Sequence, residues 1–184
     1  AVPLSDNSDP TMSEAEKTDI HRGLKGVYFD RSRVCYIDGP AGELRYRGYS
    51  IHELAEKSTF EETCYLLFHG ELPTREQLKT FDGELKASRK VAPEIYRLIE
   101  ITNRAHPMEV LRTAVSALGA FDPEVADNSP GAILRKGIRL TSQVPVIVAA
   151  HEHIRNGREP IAPDPRLAHA ANFLYMLKGA APGA

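Results

Sequence analysis

The sequence predicts a mainly α-helical fold with a small β flap near its N-terminus, and three observations carry that reading. Helix starts are marked by Ser50/Glu53, Thr59/Glu62 and Thr74/Gln77. Each fits the S/T-x-x-E/Q capping box, in which side chains and backbone satisfy each other's orphan N–H groups. The run Val144-Pro145-Val146-Ile147-Val148-Ala149-Ala150 is apolar all round, as a helix buried on every side must be. Short runs of β-branched and aromatic residues cluster only between 27 and 47.

Composition narrows the class further. A chain of 184 residues is one domain or most of one, with 42% apolar and 26% charged residues, both ordinary for a globular protein. Its 23 basic and 25 acidic residues are interleaved and the net charge is −2, so no basic stripe offers itself to nucleic acid. No apolar run reaches the about 18 residues that a membrane span needs. Residues 1–19 are polar and lack the basic-then-apolar layout of a signal peptide. They are expected to be a disordered or vector-derived tail, leaving 20–184 as the folded portion. Two cysteines, Cys35 and Cys64, are too few for a disulfide framework. A reduced, cytoplasmic setting and two buried thiols are the expectation.

Taken in order, Val27-Tyr28-Phe29 and Val34-Cys35-Tyr36-Ile37 read as strands, with a turn at Asp38-Gly39-Pro40-Ala41-Gly42 and a returning strand at Leu44-Arg45-Tyr46-Arg47. Ile51–Lys57 is a short first helix. The second puts Phe60, Cys64, Leu67 and Phe68 on one face and stops at Gly70. The third runs from Arg75 to about Ser88, weakened by Gly83. Pro93 opens a fourth, with Ile95, Leu98 and Ile99 inward. His106 to Gly119 is the fifth, with Pro107 at its first position and Gly119 at a left-handed stop. Val110, Leu111, Ala114, Val115 and Leu118 form its apolar face, where Ala114 and Ala117 allow a close helix approach. Pro130 starts the sixth, Gly131 to Arg155, which Pro145 should kink. Asp164 and Pro165 start the seventh, which stops at Gly179.

Chemistry is harder to find. His151 and His153 lie two apart, about 200° around a helix, so they cannot share a metal ion. His52, His69 and His169 stand alone, and His106 reads as an N-cap. No Gly-x-Ser-x-Gly, P-loop or G-x-G-x-x-G motif appears. Arg22, Arg45 and Arg47 are candidates for phosphate contact, a solvated basic edge being the plainer reading. The residues alone assemble no catalytic set.

Five ordered stretches carry a resemblance. They are Gly23-Leu24-Lys25-Gly26-Val27, the run Leu44-Arg45-Tyr46-Arg47-Gly48-Tyr49-Ser50-Ile51, Phe68-His69-Gly70-Glu71-Leu72-Pro73-Thr74, His106-Pro107-Met108 through Gly119, and Asn172-Phe173-Leu174-Tyr175-Met176-Leu177-Lys178-Gly179. Together they resemble the N-terminal half of the citrate synthases and 2-methylcitrate synthases. The resemblance implies a helical large domain and a homodimer built on the helices around His106–Gly119 and Gly131–Arg155. It implies condensation of an acyl-CoA with oxaloacetate in the tricarboxylic acid or methylcitrate cycle. No cofactor is implied, the acyl-CoA being a substrate, and no metal, membrane or nucleic acid. Arg22 matches a basic family position that contacts CoA phosphate. The family's catalytic His and Asp motifs, among them a Leu-His-Ala-Asp-His-like segment, do not occur in the 184 residues. This segment alone is therefore expected to be inactive. The alternative is a naturally short paralogue acting as a dimerisation or regulatory module.

Overall fold

A computed structural model describes residues 23, 26, 27, 30 and 32–180. The tail 1–19, Arg22 and most of the strand expected at Val27-Tyr28-Phe29 lie outside the described residues. The chain divides into two units, Ala1–Ser32 and Arg33–Ala184, and every element below belongs to the second.

A three-stranded antiparallel sheet comes first: β1 (Cys35–Asp38), β2 (Glu43–Tyr46) and β3 (Tyr49–Ser50), in the order β1-β2-β3. Cys35 pairs with Tyr46, Asp38 with Glu43, and Arg45 with Ser50. The sequence suggests a strand continuing to Arg47; instead the chain turns there. Arg47 and Gly48 both take positive φ, 50° and 92°, as a tight two-residue hairpin requires. Arg47 is the one described non-glycine in that region. Its guanidinium Nη2 donates to the Leu67 carbonyl at 2.9 Å, tying the strained turn to the neighbouring helix.

Among the described residues seven α-helices follow: α1 (Ile51–Lys57), α2 (Phe60–His69), α3 (Arg75–Ala87), α4 (Pro93–Thr102), α5 (Pro107–Leu118), α6 (Pro130–Arg155) and α7 (His169–Lys178). Two capping boxes form as expected. Thr59 Oγ1 accepts from the Glu62 N–H at 3.2 Å while Glu62 returns to the Thr59 N–H at 2.6 Å. Thr74 and Gln77 do the same at 3.3 and 2.8 Å. Ser50 makes only half a box: its Oγ accepts from the His52 N–H at 3.3 Å. Ser50 also closes β3, so the position is shared between strand and helix. Gly70 and Gly179 end α2 and α7 in the left-handed region. Gly119 does not: its φ is −59°, and α5 tightens into a 3₁₀ turn over Gly119–Phe121.

The start of α7 differs most from expectation. Asp164 caps only a turn, accepting from the Arg166 N–H at 2.8 Å, and the helix begins at His169. Tertiary bonds decide this. Arg89 takes the carbonyls of Asp164 and Leu167, at 2.8 and 2.9 Å, which a helix from Asp164 would need for its own ladder. Five residues after Asp164, the Glu61 carboxylate accepts from the His169 N–H at 2.7 Å and supplies the cap that Ala168 cannot.

One core cluster gathers Val91, Ile95 and Ile99, then Val110, Ala114 and Leu118 of α5, with Val146, Ile147, Ala149 and Ala150 of α6 and Met176 of α7. A second joins Tyr65, Phe81, Leu85 and Ile138 across α2, α3 and the first half of α6. Ala149 and Ala150 are 2% and 3% exposed. Val146, Ile147, Ala149 and Ala150 are thus covered within the chain, while Val144, Pro145 and Val148 are only half-buried. Ala114 is likewise buried against its own chain. Pro145 lies inside α6 without ending it.

Glycines mark how closely helices approach. A Cβ on Gly137 would fall 2.8 Å from Phe68 Cε1, so α6 and α2 meet there backbone to ring. Around Gly83 nothing lies within 4 Å. Gly83→Ala should therefore raise stability by about 1 kcal/mol, the helix-propensity gain. Gly137→Val should lower it by about 1–3 kcal/mol through overpacking. Urea midpoints of the two variants check this pair; a neutral Gly137→Val would contradict the close approach.

Candidate functional site

The histidines are structural wherever the chain shows their partners. His153 Nε2 lies 2.8 Å from the Met176 carbonyl, joining α6 to α7, and His151 is buried beside it. Glu152 between them pairs with Arg155 at 2.7 Å. His69 stacks on Tyr65 with ring centroids 4.1 Å apart. His106 Nδ1 accepts from the Met108 N–H at 3.2 Å, as an N-cap should. His52 is exposed. Among the described residues no group of three or more His, Cys, Asp or Glu side chains could hold a metal ion.

Four buried polar side chains gather where α7 begins: Glu61 of α2, Arg89 of the α3–α4 linker, and His169 and Asn172 of α7. Asn172 Oδ1 accepts from the Asp164 N–H at 2.8 Å, and Arg89 spans two carbonyls of the same turn. His169 lies flat on Phe60, with centroids 4.3 Å apart and planes 9° apart. Burial lowers the Arg89 pKa, against the opposing pull of Asp82, Glu61 and Asp164. It lowers that of His169 too, with the Arg89 charge adding to the effect and Glu61 resisting it. The nearby Cys64 thiol is pushed up to about 11 by burial and by Glu61, so it stays protonated and inert at neutral pH. Cys35 is exposed, contrary to the expected pair of buried thiols; it sits on β1, outside both core clusters. This cluster binds backbone and carries no activated nucleophile.

The arginines expected at phosphates divide. Arg22 lies outside the described residues. Arg45 pairs with Glu43, and Arg47 is spent on the Leu67 carbonyl. At the start of α6, Ser129 Oγ caps the helix by accepting from the Ala132 N–H at 3.4 Å. A groove of about 400 Å³ opens between the end of α5, the loop after it and α6, lined by Val115, Phe121, Val125 and Leu140. Two basic side chains at its rim, Lys136 and Arg139, are already engaged. Arg139 binds Asp122 and Glu124, both at 2.8 Å, and the hydrogen bonds of Arg135 and then Arg139 hold the Glu124 carboxyl down to about 2. Lys136 Nζ donates to the Asp127 carbonyl at 2.6 Å. The groove offers apolar surface and no reactive group. Sequence reasoning missed Glu61 and Arg89, whose partners lie 75 to 108 residues away and leave no local pattern.

Comparison with known proteins completes the picture. Residues 23–184 match a family model described as citrate synthase, C-terminal domain. The citrate synthase of Deinococcus radiodurans is 43% identical over 166 residues, 90% of this chain and 44% of that protein. The 2-methylcitrate synthase 1 of Corynebacterium glutamicum is 40% identical over 169 residues, 91% of this chain and 44% of its own. The crystal structure of citrate synthase from Pyrobaculum aerophilum superposes with a TM-score of 0.83 at 34% identity, over 100% of this chain and 47% of that one. The chain thus spans under half the length of these relatives. Among the described residues, no helix is long and apolar enough to cross a membrane. With its motifs, its helical architecture and these matches in agreement, this chain belongs to the citrate synthase family.

Proposed function

We propose that this chain is the N-terminal part of an enzyme that condenses an acyl-CoA with oxaloacetate, as a citrate synthase or 2-methylcitrate synthase. The observation that carries the reading is the 43% identity to a citrate synthase across 90% of the chain. In that reaction a carboxylate base removes an α-proton from the acyl group and a histidine stabilises the resulting enol. The enol carbon bonds to the ketone carbon of oxaloacetate, and water then cleaves the thioester to release the CoA thiol. The family motifs that would supply these two groups do not occur among the 184 residues. The segment's part is to supply the helical scaffold, while Arg22 contacts the CoA phosphate as a charge-assisted donor. No cofactor is needed.

The same reading makes the protein a homodimer through α5 and α6. Exposed apolar side chains on these helices support it: Met108, Ile133 and Leu140 are 63%, 55% and 39% exposed. Ala114, where the sequence allows a close helix approach, lies in the chain's own core.

Release of CoA thiol tests the catalytic half. The 184-residue chain, given acetyl-CoA or propionyl-CoA with oxaloacetate, should show no turnover. A longer chain continuing into a Leu-His-Ala-Asp-His-like segment should turn over, and in it Arg22→Ala should raise the KM for acyl-CoA several-fold with kcat little changed. Turnover by the short chain would overturn its inactivity; an inert longer chain would overturn the enzyme reading in favour of a regulatory module. Sedimentation equilibrium tests the other half. Twice the 20.3 kDa chain mass is expected. The double variant Ile133→Glu, Leu140→Glu should sediment as a single chain, and an unchanged dimer would contradict the assigned interface.

A further inference from the structure

His169 occupies an unusual position for a titratable group. It is the first residue of α7, its N–H is held by Glu61 Oε1 at 2.7 Å, and its ring is pressed against Phe60. The Nδ1 atom is buried with no hydrogen-bond partner. A neutral imidazole carrying its proton on Nε2 leaves Nδ1 as a bare lone pair, a modest burden when buried. A second proton would turn Nδ1 into a buried donor without an acceptor and set a cation in range of the Arg89 guanidinium.

We propose that Glu61, Arg89 and His169 form a proton-operated latch on the first turn of α7, closed while the imidazole is neutral and released when it is protonated. Because His169 is itself the residue Glu61 caps, expelling its ring withdraws the capped N–H, and the cap and the stacked ring are lost together. The charges acting on the imidazole come from two elements. Glu61 of α2 favours the cation, while Arg89 of the α3–α4 linker opposes it. The Asp164 carboxylate, on the turn before α7, is occupied by Arg166 at 2.7 Å. From α6, which also packs on α7, His153 meets the Met176 carbonyl two turns further along. Burial and Arg89 together outweigh Glu61, so the folded imidazole holds its proton less tightly than the ordinary value of 6.5. Between that lowered value and pH 6.5 the open form binds the extra proton. The latch is therefore fully closed above about pH 6.5 and weakens as pH falls below it.

Amide hydrogen exchange on the 184-residue chain, corrected for intrinsic rates, tests this between pH 8 and pH 5. Protection of the His169 and Asn172 amides should fall as pH drops below about 6.5, by at most about tenfold per pH unit, and level off once the folded imidazole is itself protonated, with α4 amides as the internal reference. His169→Phe keeps an aromatic ring on Phe60 and should abolish that dependence. Unchanged protection in the native chain, or the same loss in His169→Phe, would overturn the latch. Should that variant fail to fold, NMR titration of the native imidazole decides: a midpoint below 6.5 with the Nε2–H tautomer supports the proposal, and a midpoint at or above 6.5 overturns it.

Discussion

Covering the inward face of the second half of α6 is the constraint that the rest of the chain obeys. Val146, Ile147, Ala149 and Ala150 carry no polar face to give to water, so each neighbouring helix must offer an apolar one. Ile95 and Ile99 of α4, Val110 and Ala114 of α5, and Met176 of α7 meet that demand. The first half of α6 is handled differently. There Gly137 yields its side chain so that Phe68 of α2 can lie against the backbone, and Ile138 joins the aromatic cluster of Tyr65 and Phe81. One helix thereby connects two cores.

Both connections flanking α6 are then fastened by polar contacts. Before the helix, Asp122 and Glu124 grip Arg139 and Arg135. After it, Arg89 reaches across the fold to the carbonyls of Asp164 and Leu167, and Glu61 caps the start of α7. The second arrangement buries charged groups, which is tolerable only because each is bonded to backbone that would otherwise lack partners. It also leaves Arg89 Nε and His169 Nδ1 unpaired. The bare His169 Nδ1 is what makes the start of α7 sensitive to protons rather than merely rigid.

Much of this was legible from the residues. The Thr59/Glu62 and Thr74/Gln77 boxes, the Pro93, Pro107 and Pro130 helix starts and the Gly70 and Gly179 stops all appear where local chemistry puts them. The misreadings share a cause. Asp164 has the residue types of a helix start, yet Arg89 diverts its carbonyl. Ser50 has its glutamate three residues on, yet the strand claims part of the position. Gly119 looks like a left-handed stop, yet the chain prefers one tighter turn. Local signals lost wherever a distant partner or an adjoining element competed for the same backbone. The family was legible because five motifs kept their order. A catalytic set was not, because no motif of that kind stands in these residues.

Truncating Ile147 examines the central claim most directly. It is 1% exposed at the middle of the buried segment of α6. If helices of the same chain enclose it, Ile147→Ala should destabilise the 184-residue chain by about 2–5 kcal/mol in urea unfolding, the cost of a core cavity. A loss below about 1 kcal/mol would mean that the site is not enclosed, and the fold would then not be built around α6.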